Sequence, residues 1–310
     1  MDLAQALEEV LACPVCKGRL VLTDAGARIG CTSCGGTYPI QDGIPMLLNP
    51  DLLAQEEERR CRDTVAERFL RSDRPQLLEE VARHHSIPVM LKKSREFQQK
   101  FKPHEWILDL GIGWGWHWER NDPDIKILGV DMSSRNLILA KRLLGKNDRV
   151  VLVCADAALL PVRDRTISGA WSVQVFQHFP PQVLDRVQTE LARILREDEF
   201  TMEIYNLNPP LLHRLIYRLL GRRMHLHGKL GEMMLNRFSA REWTEIWQNF
   251  RQGNPKISHS YSELFFHPEF RLRPHRYPMK LEHLLARKLP GLAAIFARQV
   301  QVRLEVSQVP

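Results

Sequence analysis

Trp106-Ile107-Leu108-Asp109-Leu110-Gly111-Ile112-Gly113-Trp114-Gly115 is the stretch that decides the fold. A short apolar strand ends in an acid and runs into three alternating glycines, whose lack of Cβ lets a ligand lie directly against backbone. Further strands are expected at 126–131, 150–155, 169–175 and 200–205, with helices between them at 115–120, 135–144 and 183–195. Buried strands alternating with helices argue for an α/β fold with a parallel sheet covered on both faces. Downstream, Ser239 with Glu242 three residues later marks another helix start, and residues 299–306 read as an extended tail returning to the sheet.

A glycine-rich turn alone does not name its ligand. The dinucleotide fingerprint needs a third glycine where Trp116 stands, and that indole would obstruct close packing beside a pyrophosphate. S-adenosylmethionine has no phosphate to cradle but presents an ammonium, which Asp109 at the strand end is placed to attract. Asp131 ends the second strand, 22 residues further on, where a carboxylate can accept both ribose hydroxyls. Asp156 follows the third strand, within reach of an adenine amino group, while Ala157 offers its backbone amide. Any one of these acids could be an ordinary loop residue, but three at successive strand ends, the first tied to a glycine loop, form a pattern.

On these residues, the segment 106–205 resembles class I S-adenosylmethionine-dependent methyltransferases of the broad type that acts on small molecules and many other acceptors. The resemblance implies a Rossmann-like, doubly wound, mostly parallel seven-stranded sheet. It assigns the methionine end of the cofactor to Asp109, Gly111, Gly113 and the neighbouring Gly115, the ribose to Asp131, the adenine to Asp156 and Ala157, and a flanking contact to Met132. Leu160 to Asp164 and Gln174 to Phe179 match the family's fourth strand and following loop; Gly169-Ala170 departs from its usual acid-hydrophobic pair. A sulfonium methyl is already a good electrophile, so holding an acceptor in line supplies much of the acceleration and a base is optional. His178 is the candidate base, weighed against a histidine packed there for structural reasons. Asn208-Pro209-Pro210 is not the motif of amino-group methyltransferases, because it follows the fifth strand and ends in Leu211.

At the N-terminus, Cys13-Pro-Val-Cys16 and Cys31-Thr-Ser-Cys34 each place two thiolates on one turn, together a closed tetrahedral set for structural zinc. The competing readings are a redox dithiol or coincidence. Residues 35–47, with Tyr38-Pro-Ile-Gln-Asp-Gly-Ile-Pro45, resemble the small zinc-ribbon activator that partners methyltransferases of tRNA, ribosomal RNA and release factors. The expected organisation is therefore a ribbon over 1–50, helices over 51–102, and a methyltransferase domain over 103–310 with a basic cap at about 207–236.

The other two cysteines, Cys61 and Cys154, are isolated, which makes a disulfide framework improbable; no span-length apolar run and no secretory leader are seen, so a cytoplasmic location is expected. Residues 201–310 hold 17 Lys/Arg against 8 Asp/Glu, whereas residues 1–50 hold 3 against 5. The basic third suits RNA phosphate, another anionic substrate or a membrane surface with peripheral association, though a solvated basic face gives the same counts. Within the cap, Leu212, Leu215, Ile216 and Leu219 share one helical face among arginines. Two acceptor classes stay open, RNA or a translation protein, and a small or lipid-linked metabolite. The alternative from a different class is a non-catalytic ribbon-bearing adaptor, with a dinucleotide oxidoreductase as a weaker third reading.

Overall fold

A computed structural model describes residues 3–49, 55–83, 87–118, 125–145, 147–250, 254–266 and 278–307. The ribbon comprises α1 (Leu3–Glu9) and four short strands, β1 (Leu20–Thr23), β2 (Arg28–Cys31), β3 (Thr37–Gln41) and β4 (Ile44–Pro45), in one antiparallel sheet. Three helices follow, α2 (Glu56–Glu67), α3 (Arg74–Ala82) and α4 (Ile87–Gln98). Pro75 begins a helix here: it stands in the first turn of α3 behind the Asp73 cap, where its missing N–H costs nothing.

The catalytic-type fold is then laid down as β5 (Trp106–Leu110), β6 (Lys126–Asp131), α5 (Ser134–Leu144), β7 (Val150–Cys154), β8 (Gly169–Val173), α6 (Pro181–Ile194) and β9 (Phe200–Leu207). Next come α7 (Leu211–Leu219), the hairpin β10 (Lys229–Leu230) and β11 (Met233–Met234), α8 (Ala240–Trp247), β12 (Lys256–Ser262), α9 (Met279–Lys288), α10 (Pro290–Phe296) and β13 (Gln299–Val306). Among the described residues seven strands make one sheet in the order β12-β13-β9-β8-β5-β6-β7. Strands β5 to β9 pair in parallel and β13 and β12 add antiparallel at one edge, the Rossmann-like arrangement expected. Strand order turns back at β5, which lies between β6 and β8, so the glycine loop opens at the point where α/β sheets hold ligands.

The expected elements shift in instructive ways. The helix read at 115–120 is a single 3-10 turn, Trp116–Trp118, within the described residues; residues 119 and 120 lie outside them. The indole of Trp118 donates to Asp109 Oδ2 at 2.5 Å and His117 Nε2 lies 3.0 Å from the same oxygen, so the chain is drawn down onto β5 and not out along a helix axis. Strand β8 stops at Val173 because Gln174 adopts φ 58°, and β9 runs on to Leu207. Strand β12 escaped the sequence reading, since Lys-Ile-Ser-His-Ser-Tyr-Ser is an edge strand with only Ile257 and Tyr261 to mark its inner face. The departure at Gly169 has a packing cause: a Cβ there would meet the Phe101 ring at 2.2 Å and the Thr201 carbonyl at 3.0 Å.

The ribbon is seated on the domain that follows it. Leu11 makes an antiparallel bridge to Val162, Ala12 N–H donates to the Pro161 carbonyl and Arg163 N–H to that of Val10. The Arg163 guanidinium returns two bonds, to the carbonyls of Leu7 (2.9 Å) and Leu11 (3.0 Å). Lys17 reaches across to the Leu160 carbonyl (3.0 Å) and Glu190 (2.8 Å), and Met46 makes an isolated parallel bridge to Cys154 at the β7 edge. Buried Leu7, Val10, Leu11, Ile29 and Leu47 belong to the same apolar cluster as Leu108 and Val153, so ribbon and sheet share one core.

Candidate functional site

Two sites follow from this framework. In the ribbon, Cys13, Cys16, Cys31 and Cys34 bring their sulfurs within 4.8 Å of one another, with 3.7 Å between Cys13 and Cys34 and 3.4 Å between Cys16 and Cys31. A tetrahedral zinc with bonds of about 2.3 Å needs sulfurs roughly 3.8 Å apart, so the donor set fits the ion. Each pair closes on a tight turn, Lys17 N–H donating to the Cys13 carbonyl and Gly35 N–H to that of Cys31, both turn residues at positive φ. Tyr38 Oη sits 3.3 Å from Cys13 Sγ, where a hydroxyl can donate to a thiolate. Four sulfurs leave no position for water or substrate, which makes such a site structural.

The second site is a cavity of about 230 Å³ at the carboxyl ends of β5, β6, β7 and β8. Of the residues read from the sequence, Gly111, Gly113, Asp131, Met132, Asp156, Ala157 and His178 all line it. Asp109 and Gly115 are not among the lining residues. Asp109 is 1% exposed and spends Oδ2 on the Trp118 turn, while its Oδ1 has no hydrogen-bond partner among the described residues. Its place is under the glycine loop, holding the aromatic turn.

Asp131 works on both sides of the loop: Oδ2 accepts the Gly113 N–H (2.9 Å) and Oδ1 the Ser133 N–H (2.8 Å). Burial pushes its carboxyl above the usual range, against those two amides, which hold it down. Asp156 caps the following turn through Ala158 N–H (2.8 Å). Gly111 stands at φ 73°, and a Cβ on it would lie 2.2 Å from Val175 Cγ2, another wall residue.

The far wall comes from the segment read only as leading helices. Gln55, Glu58 and Arg62, from the start and first turns of α2, line the cavity beside Asn136, Gln174 and Phe179. Their pattern in sequence, Glu and Arg four apart, reads as a solvated helix face, and only the packing of α2 on α5, with Ser133 Oγ donating to Asp63, turns it inward. Glu58 is buried; Oε1 takes Arg62 at 2.7 Å and Oε2 has no partner among the described residues. Burial raises its carboxyl pKa.

His178 is 12% exposed in its side chain and hemmed in. Its Nδ1 lies 2.6 Å from the Met234 carbonyl, which can only accept, so the ring proton sits on Nδ1. Gln177 presents its amide nitrogen 3.2 Å from Nε2, its own Oε1 being taken by Leu207 N–H at 2.8 Å. The Nε2 lone pair is thus occupied. Burial, with the Arg62 charge, pushes the imidazole down to about 4, so it is neutral at pH 7 and poorly matched to general-base work near neutrality. It tethers the β11 hairpin to the cavity. Because the unfolded chain protonates this ring near 6.5 and the folded chain near 4, stability is expected to fall as pH drops through that window. Urea melts at pH 7 and pH 5 should differ by about 2 kcal/mol from this group, a difference that His178→Gln removes.

With the geometry in place, comparison with known proteins bears on both sites. Residues 107–198 match the family model described as a methyltransferase domain, and residues 5–43 that of Trm112p-like proteins. The N-terminal module belongs to the Trm112p-like family, and the segment that follows it carries a methyltransferase domain. Its Trm112p-like module is 41% identical over 58 residues to a UPF0434 protein of Aliivibrio fischeri (strain MJ11), covering 18% of this chain and 89% of that one. A UPF0434 protein of Shewanella sediminis is 46% identical over 48 residues, 16% of this chain and 80% of its own. Among solved structures, the complex between the Haloferax volcanii Trm112 methyltransferase activator and a methyltransferase is similar at TM-score 0.49 and 16% identity, over 81% of this chain and 98% of that chain. A SAM-dependent methyltransferase from Archaeoglobus fulgidus is similar at TM-score 0.48 and 16% identity, over 75% and 100%. The four-cysteine cluster of the Trm112p-like module is compatible with zinc.

Proposed function

We propose that this chain is a methyltransferase that uses S-adenosylmethionine, with the Trm112p-like module (1–50) holding a structural zinc, helices over 51–102 walling the site, and the methyltransferase domain over 103–310. The observation that carries the reading is convergence: glycine-loop backbone, Asp131 with Met132, and Asp156 with Ala157, from three successive strand tips, share one cavity. Gly111 and Gly113 would take the methionine end, Asp131 the ribose, and Asp156 and Ala157 the adenine. The bound cofactor supplies an electrophilic methyl on its sulfonium.

The chain's own work is then to hold an acceptor atom in line and dry. Glu58 suits the role of orienting an acceptor N–H or O–H, because its Oε2 is buried on the cavity wall with no hydrogen-bond partner among the described residues, and burial raises its carboxyl pKa. His178 orders the cap and leaves proton transfer to Glu58. Of the described arginines and lysines only Arg62 lines the cavity, so the basic residues of the cap face elsewhere, which favours a small or lipid-linked acceptor over RNA. A cytoplasmic location accords with reduced metal-binding cysteines.

Calorimetry tests the cofactor. S-adenosylmethionine should bind and NAD should not. Asp131→Ala should weaken binding about 10- to 150-fold, the worth of hydrogen bonds to a buried charge. Equal binding by that variant removes the ribose assignment. Tight cofactor binding with no labelled product from any fraction of a cell extract would identify a non-catalytic adaptor instead.

A further inference from the structure

The cap and the C-terminal helices turn many of their large apolar residues to solvent. On α7, Leu211, Leu215 and Leu219 recur every four residues and are exposed, Leu219 to 77%, while the fully buried position is His213. On α10, Ala293 and the following Ala297 are buried, whereas Leu289, Leu292 and Ile295 stand in solvent. On α9, Glu282 is buried, accepting the Leu264 N–H at 2.8 Å, and Met279, Leu281 and Leu284 are exposed. These helices are neighbours: α10 packs against both α7 and α9, and Asn208 at the head of α7 donates to the Ala297 carbonyl at 2.8 Å. Their exposed apolar residues are thus gathered on three helices packed side by side, more than the scattered single leucines an ordinary surface shows.

The charges on that surface have one sign. Arg214 and Arg218 form an exposed stripe beside the α7 leucines, with Arg222 and Arg223 just beyond. Helix α9 adds exposed Lys280, Arg287 and Lys288. Residues 204–231 contain no Asp or Glu, and residues 278–304 contain only Glu282, which is buried. Leucine stripe flanked by arginine stripe is the pattern of helices that lie in a membrane interface, with apolar side chains in the acyl boundary and cations among anionic headgroups.

We propose that α7, α9 and α10 form a docking surface for an anionic phospholipid bilayer, on which the protein sits peripherally. Charge complementarity selects this occupant. A second copy would press cation against cation, and RNA would use the arginines but not the leucines, Tyr217 being the one aromatic in the α7 sequence. No described helix is long and apolar enough to cross a membrane, so attachment is at the interface. The surface starts at the carboxyl end of β9, the same sheet edge onto which the cavity opens.

Vesicle flotation of the full, zinc-loaded chain tests this. Vesicles of phosphatidylcholine mixed with phosphatidylserine should carry the protein upward, and phosphatidylcholine alone should not. Raised salt should weaken binding, and Arg218→Glu should lower partitioning by at least about fivefold, the worth of one cation at an anionic leaflet. The exposed pair Leu215→Glu and Leu219→Glu should abolish flotation while melting temperature and S-adenosylmethionine affinity stay as they were, which keeps this test separate from that of the enzyme activity. Failure to float on anionic vesicles at low salt overturns the proposal. So does binding that the leucine variants leave intact, which would mark a polyanion site, or a concentration-dependent dimer in sedimentation that those variants dissolve.

Discussion

Chelation of the zinc proposed at Cys13, Cys16, Cys31 and Cys34 should cost this protein its S-adenosylmethionine affinity as well as its ribbon. Zinc on four thiolates contributes about 10–16 kcal/mol to the folding of small modules, more than residues 3–49 can draw from their own short strands. The ribbon, once folded, holds the segment that supplies one wall of the cavity. Asp156 and Ala157 lie on the wall, and within the next six residues Leu160, Pro161, Val162 and Arg163 are all bonded to the ribbon through Lys17, Ala12, Leu11 and Val10. Glu190 and Arg193 of α6 clamp the same segment from the other side, with Arg193 donating to the Leu160 and Val162 carbonyls. Loss of zinc removes one jaw. The measurement is paired: one zinc per chain by elemental analysis, then melting temperature and S-adenosylmethionine affinity before and after chelation, and again for Cys13→Ser. Both quantities should drop together, affinity by at least about tenfold, because freeing a wall loop adds its ordering entropy to every binding event. An affinity that survives the melting of the ribbon would show the 156–163 segment standing without it.

Gly111→Ala should be the most damaging single substitution at the cavity between the strand tips. The residue sits at φ 73°, a conformation that costs an L-residue about 1–2 kcal/mol, and its new Cβ would meet Val175 Cγ2 at 2.2 Å. Overpacking of this kind typically costs about 1–3 kcal/mol more. The loop cannot yield locally, because Gly111 N–H donates to the Val130 carbonyl at 2.7 Å and Gly113 N–H to Asp131. Relief has to move Val175 or the loop, and both form the cavity wall. Calorimetry should find S-adenosylmethionine binding weakened about 100-fold or more, with circular dichroism reporting an intact fold. Adding Val175→Ala removes the collision but not the backbone cost, so it should restore part of the loss. Full restoration would mean that φ contributes nothing, and no restoration that the collision does not matter.

Much of the fold was legible because its signals are local. A buried strand between polar breaks shows itself in five residues, as at Trp106–Leu110 and Lys126–Asp131, and both were read to the residue. The capping box at Ser239 and Glu242 and the paired cysteines are equally short-range, each defined by a spacing of two or three residues. What stayed hidden was long-range. The edge strand β12 has only Ile257 and Tyr261 to betray it and exists because β13 offers it a ladder. Gln55, Glu58 and Arg62 face the cavity because α2 folds back onto α5 across some 70 residues of chain, a placement no periodicity encodes.

From its sequence alone this protein is an α/β chain with a four-thiolate module ahead of a glycine loop and acids at successive strand tips, since residue type and spacing dictate those features before anything packs. Only tertiary structure decided what the charges do: that Asp109 braces an aromatic turn while Asp131 and Asp156 line the cavity, that His178 has both nitrogens engaged while Glu58 keeps a buried oxygen with no partner among the described residues, and that Leu211, Leu215 and Leu219 of α7 face outward. The reason is physical. A carboxylate, imidazole or leucine acquires its role from burial and from which partners arrive within hydrogen-bonding or van der Waals reach, and those arrive from elements far away in sequence.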